Sequence, residues 1–137
     1  MRGRDDAVAI EFDVPFHDVD AMQIVWHGHY LKYLEVARTA LMRARGIDVA
    51  PIVAAGYAMV VAETRCRHTH PLRYGDRARV LAWCMAIDHR VQIRYEVWND
   101  TAGRRSARAS TTLVTTDLAG NLQYETPEFI AHALRPR

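Results

Sequence analysis

Two cysteines, Cys66 and Cys84, are all that the 137-residue chain contains, and they form no C-x-x-C pair. That excludes a disulfide scaffold and the usual cysteine zinc knuckles, and both thiols are expected reduced. Long apolar runs are missing too, since no stretch approaches the roughly 20 apolar residues of a spanning helix. The opening Met1-Arg2-Gly3-Arg4-Asp5-Asp6 has no apolar core behind it, so no signal peptide is expected and the expected compartment is the cytoplasm. Charge of one sign is scarce: 18 basic residues stand against 16 acidic ones, a net of +2. That balance argues against a nucleic-acid partner. Internal repeats and low-complexity segments are absent. Half of the residues are hydrophobic, which excludes a disordered chain. The length suits a single domain over residues 1–137 with one core.

What is present is periodicity. Val8, Ile10, Phe12, Val14 and Phe16 recur at every second position, a strand signal. Pro15 lacks a backbone donor, so this strand is expected at an edge or to end there. From about His27 the period lengthens, and Tyr30, Leu34, Ala37, Leu41 and Ala44 mark one face of a helix. Arg43, Arg45 and Gly46 suit its C-terminal end. Pro51 and Gly56 punctuate a connection with room for a helical turn. Four strand-like runs follow, over 57–69, 78–87, 91–98 and 106–116, separated by turn residues. Thr126-Pro127-Glu128 predicts a short C-terminal helix, with Thr126 as cap and Pro127 at the first position. A strand, a long helix and four hairpin-linked strands predict an α+β fold, a curved antiparallel sheet around a central helix. One helix cannot cover such a sheet, so a second copy of the chain is expected against the remaining edge and face.

Chemistry points to residues 17–30, His-Asp-Val-Asp-Ala-Met-Gln-Ile-Val-Trp-His-Gly-His-Tyr. Acidic side chains leave a strand end, an apolar triplet follows, and a helix begins. The first turn of a helix has unpaired N–H groups and the positive end of the dipole. Such a terminus can hold a developing oxyanion, and a facing carboxylate can act as nucleophile or as base for water. The plainer reading is that Asp18 or Asp20 caps a turn.

Asp20-x-x-x-Ile24-Val25-Trp26-His27-x-x-Tyr30-Leu31-x-Tyr33-Leu34-Glu35-x-Ala37-Arg38 resembles the signature of the 4-hydroxybenzoyl-CoA thioesterase family, the acyl-CoA thioesterases of hot-dog fold. Pro71-x-x-Tyr74-Gly75-Asp76 before a strand resembles that family's central hairpin. The resemblance implies that Asp20 is the catalytic aspartate and that His27 offers a backbone N–H to the thioester carbonyl. Gly28 is placed to offer a second. It implies a thioesterase acting on an acyl-CoA or acyl-carrier-protein thioester, working as a homodimer or homotetramer with sites at subunit interfaces. No metal or redox cofactor is implied, since coenzyme A or phosphopantetheine arrives as part of the substrate. Arg90 falls where relatives hold coenzyme A phosphates. Three departures stand out: Gln23 replaces the family's Gly, Met22 replaces a small residue, and Leu34 replaces an aromatic. Gln23 either changes the loop or points its amide into the site.

Other residues carry weaker signals. Met22, Trp26 and Tyr30 suit either an apolar substrate pocket or the core. His68 and His70 share a strand face, which suits an exposed or interface role better than a metal site lacking a third ligand. His17 and His29 flank the motif, and Asp18 is the rival carboxylate. Glu35 is expected to pair with Lys32 or Arg38. Arg104, Arg105 and Arg108 cluster at a hairpin, where the guanidinium fork suits phosphate but solvation alone also explains them. Two other functions share these residues: a hot-dog dehydratase or hydratase using His27 with Asp20, and a non-catalytic acyl-thioester binding protein.

Overall fold

The segments of period two and of helical period fold where their patterns place them. The computed structural model describes residues 2–136. A short helix α1 (Arg2–Asp5) precedes strand β1 (Val8–Asp13), a 3-10 turn (Phe16–Asp18), the long helix α2 (His29–Ala44) and a short helix α3 (Val49–Ala54). Strands β2 (Tyr57–His68), β3 (Arg77–Ala86), β4 (Val91–Asn99) and β5 (Arg104–Asp117) follow, and helix α4 (Glu128–Leu134) comes last. All neighbouring strands are antiparallel, in the order β1-β3-β4-β5-β2. This is the expected α+β arrangement of one sheet and one long helix. Strand β1 lies at an edge and stops at Asp13, two residues before Pro15, as the missing donor requires.

Helix α2 buries Tyr30, Tyr33, Leu34, Ala37, Leu41 and Met42. These side chains share one core with Val80, Ala82, Ile93 and Val97 of the sheet. Each fully buried leucine contributes about 1.5–3 kcal/mol. Ala44 lies on the expected stripe yet is exposed, because the helix ends there. Gly46 follows with φ 72°, the left-handed conformation that closes many helices. Phe16 is exposed rather than inward-facing, because the chain has left the strand and entered the 3-10 turn.

The C-terminal helix departs from its expected cap. Pro127 itself occupies the N-cap, with φ −53° and ψ 140°, and no side chain caps the helix. The Thr126 hydroxyl is buried without a partner among the described residues. Ile130 and Leu134 still close that end of the core. No helix among the described residues is long and apolar enough to cross a membrane.

At the other edge of the sheet, β2 runs for 12 residues with its outer side unpaired. Val60 and Val61 are 46% and 45% exposed there. A long edge with exposed valines is a surface that another strand can join.

Candidate active site

The segment between β1 and α2 is sewn to the rest of the fold through its backbone. Val14 N–H donates to the Asp76 carbonyl, and Gly75 N–H returns a bond to the Val14 carbonyl. Val25 N–H donates to the Leu72 carbonyl at 2.8 Å. Residues 18–26 then form a small hairpin. Trp26 N–H donates to the Asp18 carbonyl, Val19 and Val25 form an antiparallel bridge, and Asp20 N–H donates to the Ile24 carbonyl. Residues 18–26 are thus a closed, ordered strap. It presents Asp20 at its tip, half-buried.

The Asp20 carboxylate is held on one side only. Its Oδ1 accepts from Met22 N–H at 2.9 Å, while Oδ2 has no partner among the described residues. Asp20, His27, Tyr30, His68 and His70 line one cavity of about 340 Å³. Helix α2 opens beside it with a tight turn, in which His29 N–H donates to the Trp26 carbonyl and Tyr30 N–H to the His27 carbonyl. The N–H groups of His27 and Gly28 have no acceptor among the described residues. Asp20 and His27 therefore share one cavity where the strap meets the helix, with the Gly28 amide next along the chain.

Gly28 is the N-cap of α2 and lies under the Trp26 ring. A Cβ at this position would fall 2.3 Å from that ring, so only glycine lets Trp26 fold over the helix start. Tyr30 is buried, and burial pushes its hydroxyl up to about 12, with the Cys66 thiol adding to the rise. Its ring meets His68 edge-on at 4.5 Å. Burial, and then the neighbouring His27, hold His68 below the ordinary histidine value. His68 is therefore neutral at pH 7.

Gln23 adopts φ 66°, the left-handed conformation, and is exposed. The loop thus keeps a glycine-like shape, and the Gln23 side chain does not line the Asp20 cavity. A left-handed non-glycine residue costs about 1 kcal/mol. Gln23→Gly should accordingly raise stability by about 1 kcal/mol, less the entropy glycine returns to the unfolded chain. Urea unfolding of the two proteins measures this, and a destabilised glycine variant would contradict it.

Asp18 and Asp20 do not form a coupled pair. Asp18 is turned inward, 1% exposed, and does not line the Asp20 cavity. It accepts from Lys32 Nζ at 2.7 Å and from the Tyr33 hydroxyl. Burial acts to raise its pKa, but the Lys32 and Tyr33 hydrogen bonds outweigh that and hold the carboxyl below its usual value. His17 and His29 approach Asp18 at 3.6 and 3.9 Å rather than Asp20. Because Asp18 takes Lys32, and Arg38 reaches the Tyr95 hydroxyl, Glu35 has no ion-pair partner among the described residues. The expected Glu35 pairing is not formed.

Two further expected substrate residues stand apart from this cavity within one chain. Trp26 is 48% exposed and packs on His27 and His29 rather than on the cavity wall. Arg90 follows the far end of β3, whose near end begins at Arg77 beside the Asp20 strap. Ten strand residues separate those ends, about 33 Å of extended chain. Conversely, His68 and His70 join the site although sequence placed them outside it. The strand face expected to hold both is not formed, because β2 ends at His68 and His70 lies beyond it. They converge because Thr69 and His70 both donate to the Ser106 carbonyl as β2 ends. No metal-holding group of His, Cys, Asp or Glu occurs among the described residues.

Comparison with known proteins agrees with this architecture. A family model described as the thioesterase-like superfamily matches residues 14–134. A Bacillus subtilis protein named "Putative acyl-CoA thioesterase YneP" is 30% identical over 108 residues, 78% of either chain. The crystal structure of a 1,4-dihydroxy-2-naphthoyl-CoA thioesterase from Synechocystis superposes with TM-score 0.82 at 21% identity, covering 93% of this chain and 95% of that one. A variant of 4-hydroxybenzoyl CoA thioesterase, complexed with 4-hydroxybenzoyl CoA, superposes with TM-score 0.83 at 18% identity, covering 95% and 99%. At those identities the two structures speak for the fold alone, which is the hot-dog fold.

Proposed function

This chain belongs to the thioesterase-like superfamily, and from that premise we propose that it hydrolyses acyl-CoA thioesters at the Asp20 cavity. The observation that carries this reading is the free Asp20 Oδ2 near a helix start whose His27 and Gly28 amides are unpaired. The thioester carbonyl oxygen sits on those amides, which stabilise the negative charge that develops there. Asp20 supplies an oxygen lone pair from the opposite side. It either attacks the carbonyl carbon, forming an anhydride that water opens, or takes a proton from an attacking water. Both routes consume one water and release a free acid and a thiol. Neutral His68 and buried Tyr30 wall the cavity and shield the reacting group from bulk solvent.

The working unit is a homodimer or a homotetramer. The unpaired 12-residue edge of β2 supports this, since His68 at its end borders the Asp20 cavity. A second copy along β2 completes that wall. The thiol is coenzyme A or the phosphopantetheine of a carrier protein, and no other cofactor is needed.

Thiol release tests the reading. A panel of aromatic and fatty acyl-CoA substrates, run beside an acyl-carrier-protein substrate, should liberate free thiol in step with free acid. Binding without thiol release would instead indicate a non-catalytic acyl-thioester protein. A double-bond change without release would indicate a dehydratase. Either result would overturn hydrolysis.

A further inference from the structure

The sheet face turned away from α2 carries a second concavity, a groove of about 430 Å³. Strand register builds it. Trp83 stands opposite Arg94, Arg94 opposite Ser110, and Ser110 opposite Arg65. One pleat along on the same face, Leu81, Glu96, Arg108 and Arg67 form the next row. These positions alternate with Ala82, Cys84, Ile93 and Tyr95, which belong to the core under α2.

The groove is strongly cationic. Six arginines line it, and Glu96 is the only acid among its lining residues. Glu96 is already committed, accepting from Arg4 at 2.9 Å, Trp98 Nε1 at 3.0 Å and Arg105 at 3.4 Å. Arg65 pairs with Glu63. Arg67, Arg94 and Arg108 have no acidic partner among the described residues. Arg67 and Arg108 are moreover direct cross-strand partners, an arrangement in which like charges repel.

Trp83 forms part of the groove wall. It is 4% exposed and lines the groove, and its Nε1–H has no acceptor among the described residues. A compact anion in the groove answers the unpaired guanidinium groups. Arginine forks match phosphate oxygens, and a concave site suits a small group better than a protein face.

We propose that this groove binds a ligand carrying a cluster of phosphate groups, such as the diphosphate of a nucleotide. The site is distinct from the Asp20 cavity, and only the assignment of its phosphates to the substrate's carrier rests on the proposed hydrolysis. Arg67 of the groove directly precedes His68 of the cavity at the end of β2, so the two sites lie on opposite faces of that edge strand. The phosphates belong either to the nucleotide portion of the substrate's own carrier or to a separate nucleotide.

Calorimetric titration of inorganic pyrophosphate, ADP and coenzyme A into the full chain at low salt tests this. Wild type should bind at least one of them saturably. R67Q/R108Q should weaken that binding about ten- to hundred-fold, the size of losing charged hydrogen bonds. R94Q, at an exposed position, replaces the double variant if circular dichroism shows that variant unfolded. A KM increase confined to acyl-CoA, with acyl-pantetheine unaffected, assigns the phosphates to the substrate. An effect confined to ADP or pyrophosphate assigns them to a separate nucleotide, and either result supports the site. No binding by wild type, equal binding by the variants, or binding only of an acidic carrier protein overturns it. An active thioesterase that binds no phosphate would sink this inference alone and leave the proposed reaction standing.

Discussion

Asp20→Asn is expected to lower kcat for thioester hydrolysis by about 10²–10⁴-fold while the thermal melt stays close to wild type. The substitution is nearly isosteric. The Asn Oδ1 still accepts from Met22 N–H, so the strap keeps its shape. What is lost is the free carboxylate oxygen, which is both the nucleophile and the base in the two routes. An amide oxygen does neither well. Because the His27 and Gly28 amides remain, binding of the acyl group changes less than turnover. Thiol release and a melting curve on the same preparation check this. A near-wild-type rate with an intact fold would remove Asp20 from the reaction.

Asp18→Ala gives the opposite signature. Stability falls by about 2–4 kcal/mol, and turnover well below the melting temperature stays within a few-fold. Asp18 accepts the buried Tyr33 hydroxyl, which is left without a partner by the truncation. The Lys32 contact contributes a smaller share, because its side chain is 48% exposed and screened by water. The sign of the pH dependence follows from the lowered Asp18 pKa. A carboxyl held below its unfolded value stabilises the fold above that value, near pH 4, and loses this as pH falls through the folded pKa. The stability gap between wild type and Asp18→Ala should therefore be full at neutral pH and close in acid. Urea midpoints across pH measure it. A gap that stays constant down to the acid-unfolding limit would contradict this account.

The contrast between the two aspartates shows how far local pattern reaches. In the sequence both lie in one polar segment, two residues apart, and both read as turn caps or as acids of a site. Motif register singles out Asp20. Only the fold shows why Asp18 is a structural anchor, since Tyr33 and Lys32 come to it from a different element. Gln23 follows the same logic. Its identity departs from the family pattern, but its φ of 66° shows the loop shape retained. That conformation depends on hydrogen bonds between Asp20 and both Ile24 and Gln23, which a linear reading does not contain.

Periodicity along the chain was enough to place every strand and the long helix, because one buried face imposes its repeat on the residues that make it. The helix stop at Gly46 was legible from its neighbours a few positions apart, whereas Asp20 was singled out only by the resemblance of its motif to a family signature. Tertiary packing alone decided which histidines share the Asp20 cavity, where Trp26 and Arg90 lie, and that Glu35 goes unpaired. It also gathered Arg67, Arg94 and Arg108 from three strands onto one face. Those outcomes depend on strand order and register, which bring together residues tens of positions apart, and no local pattern records them.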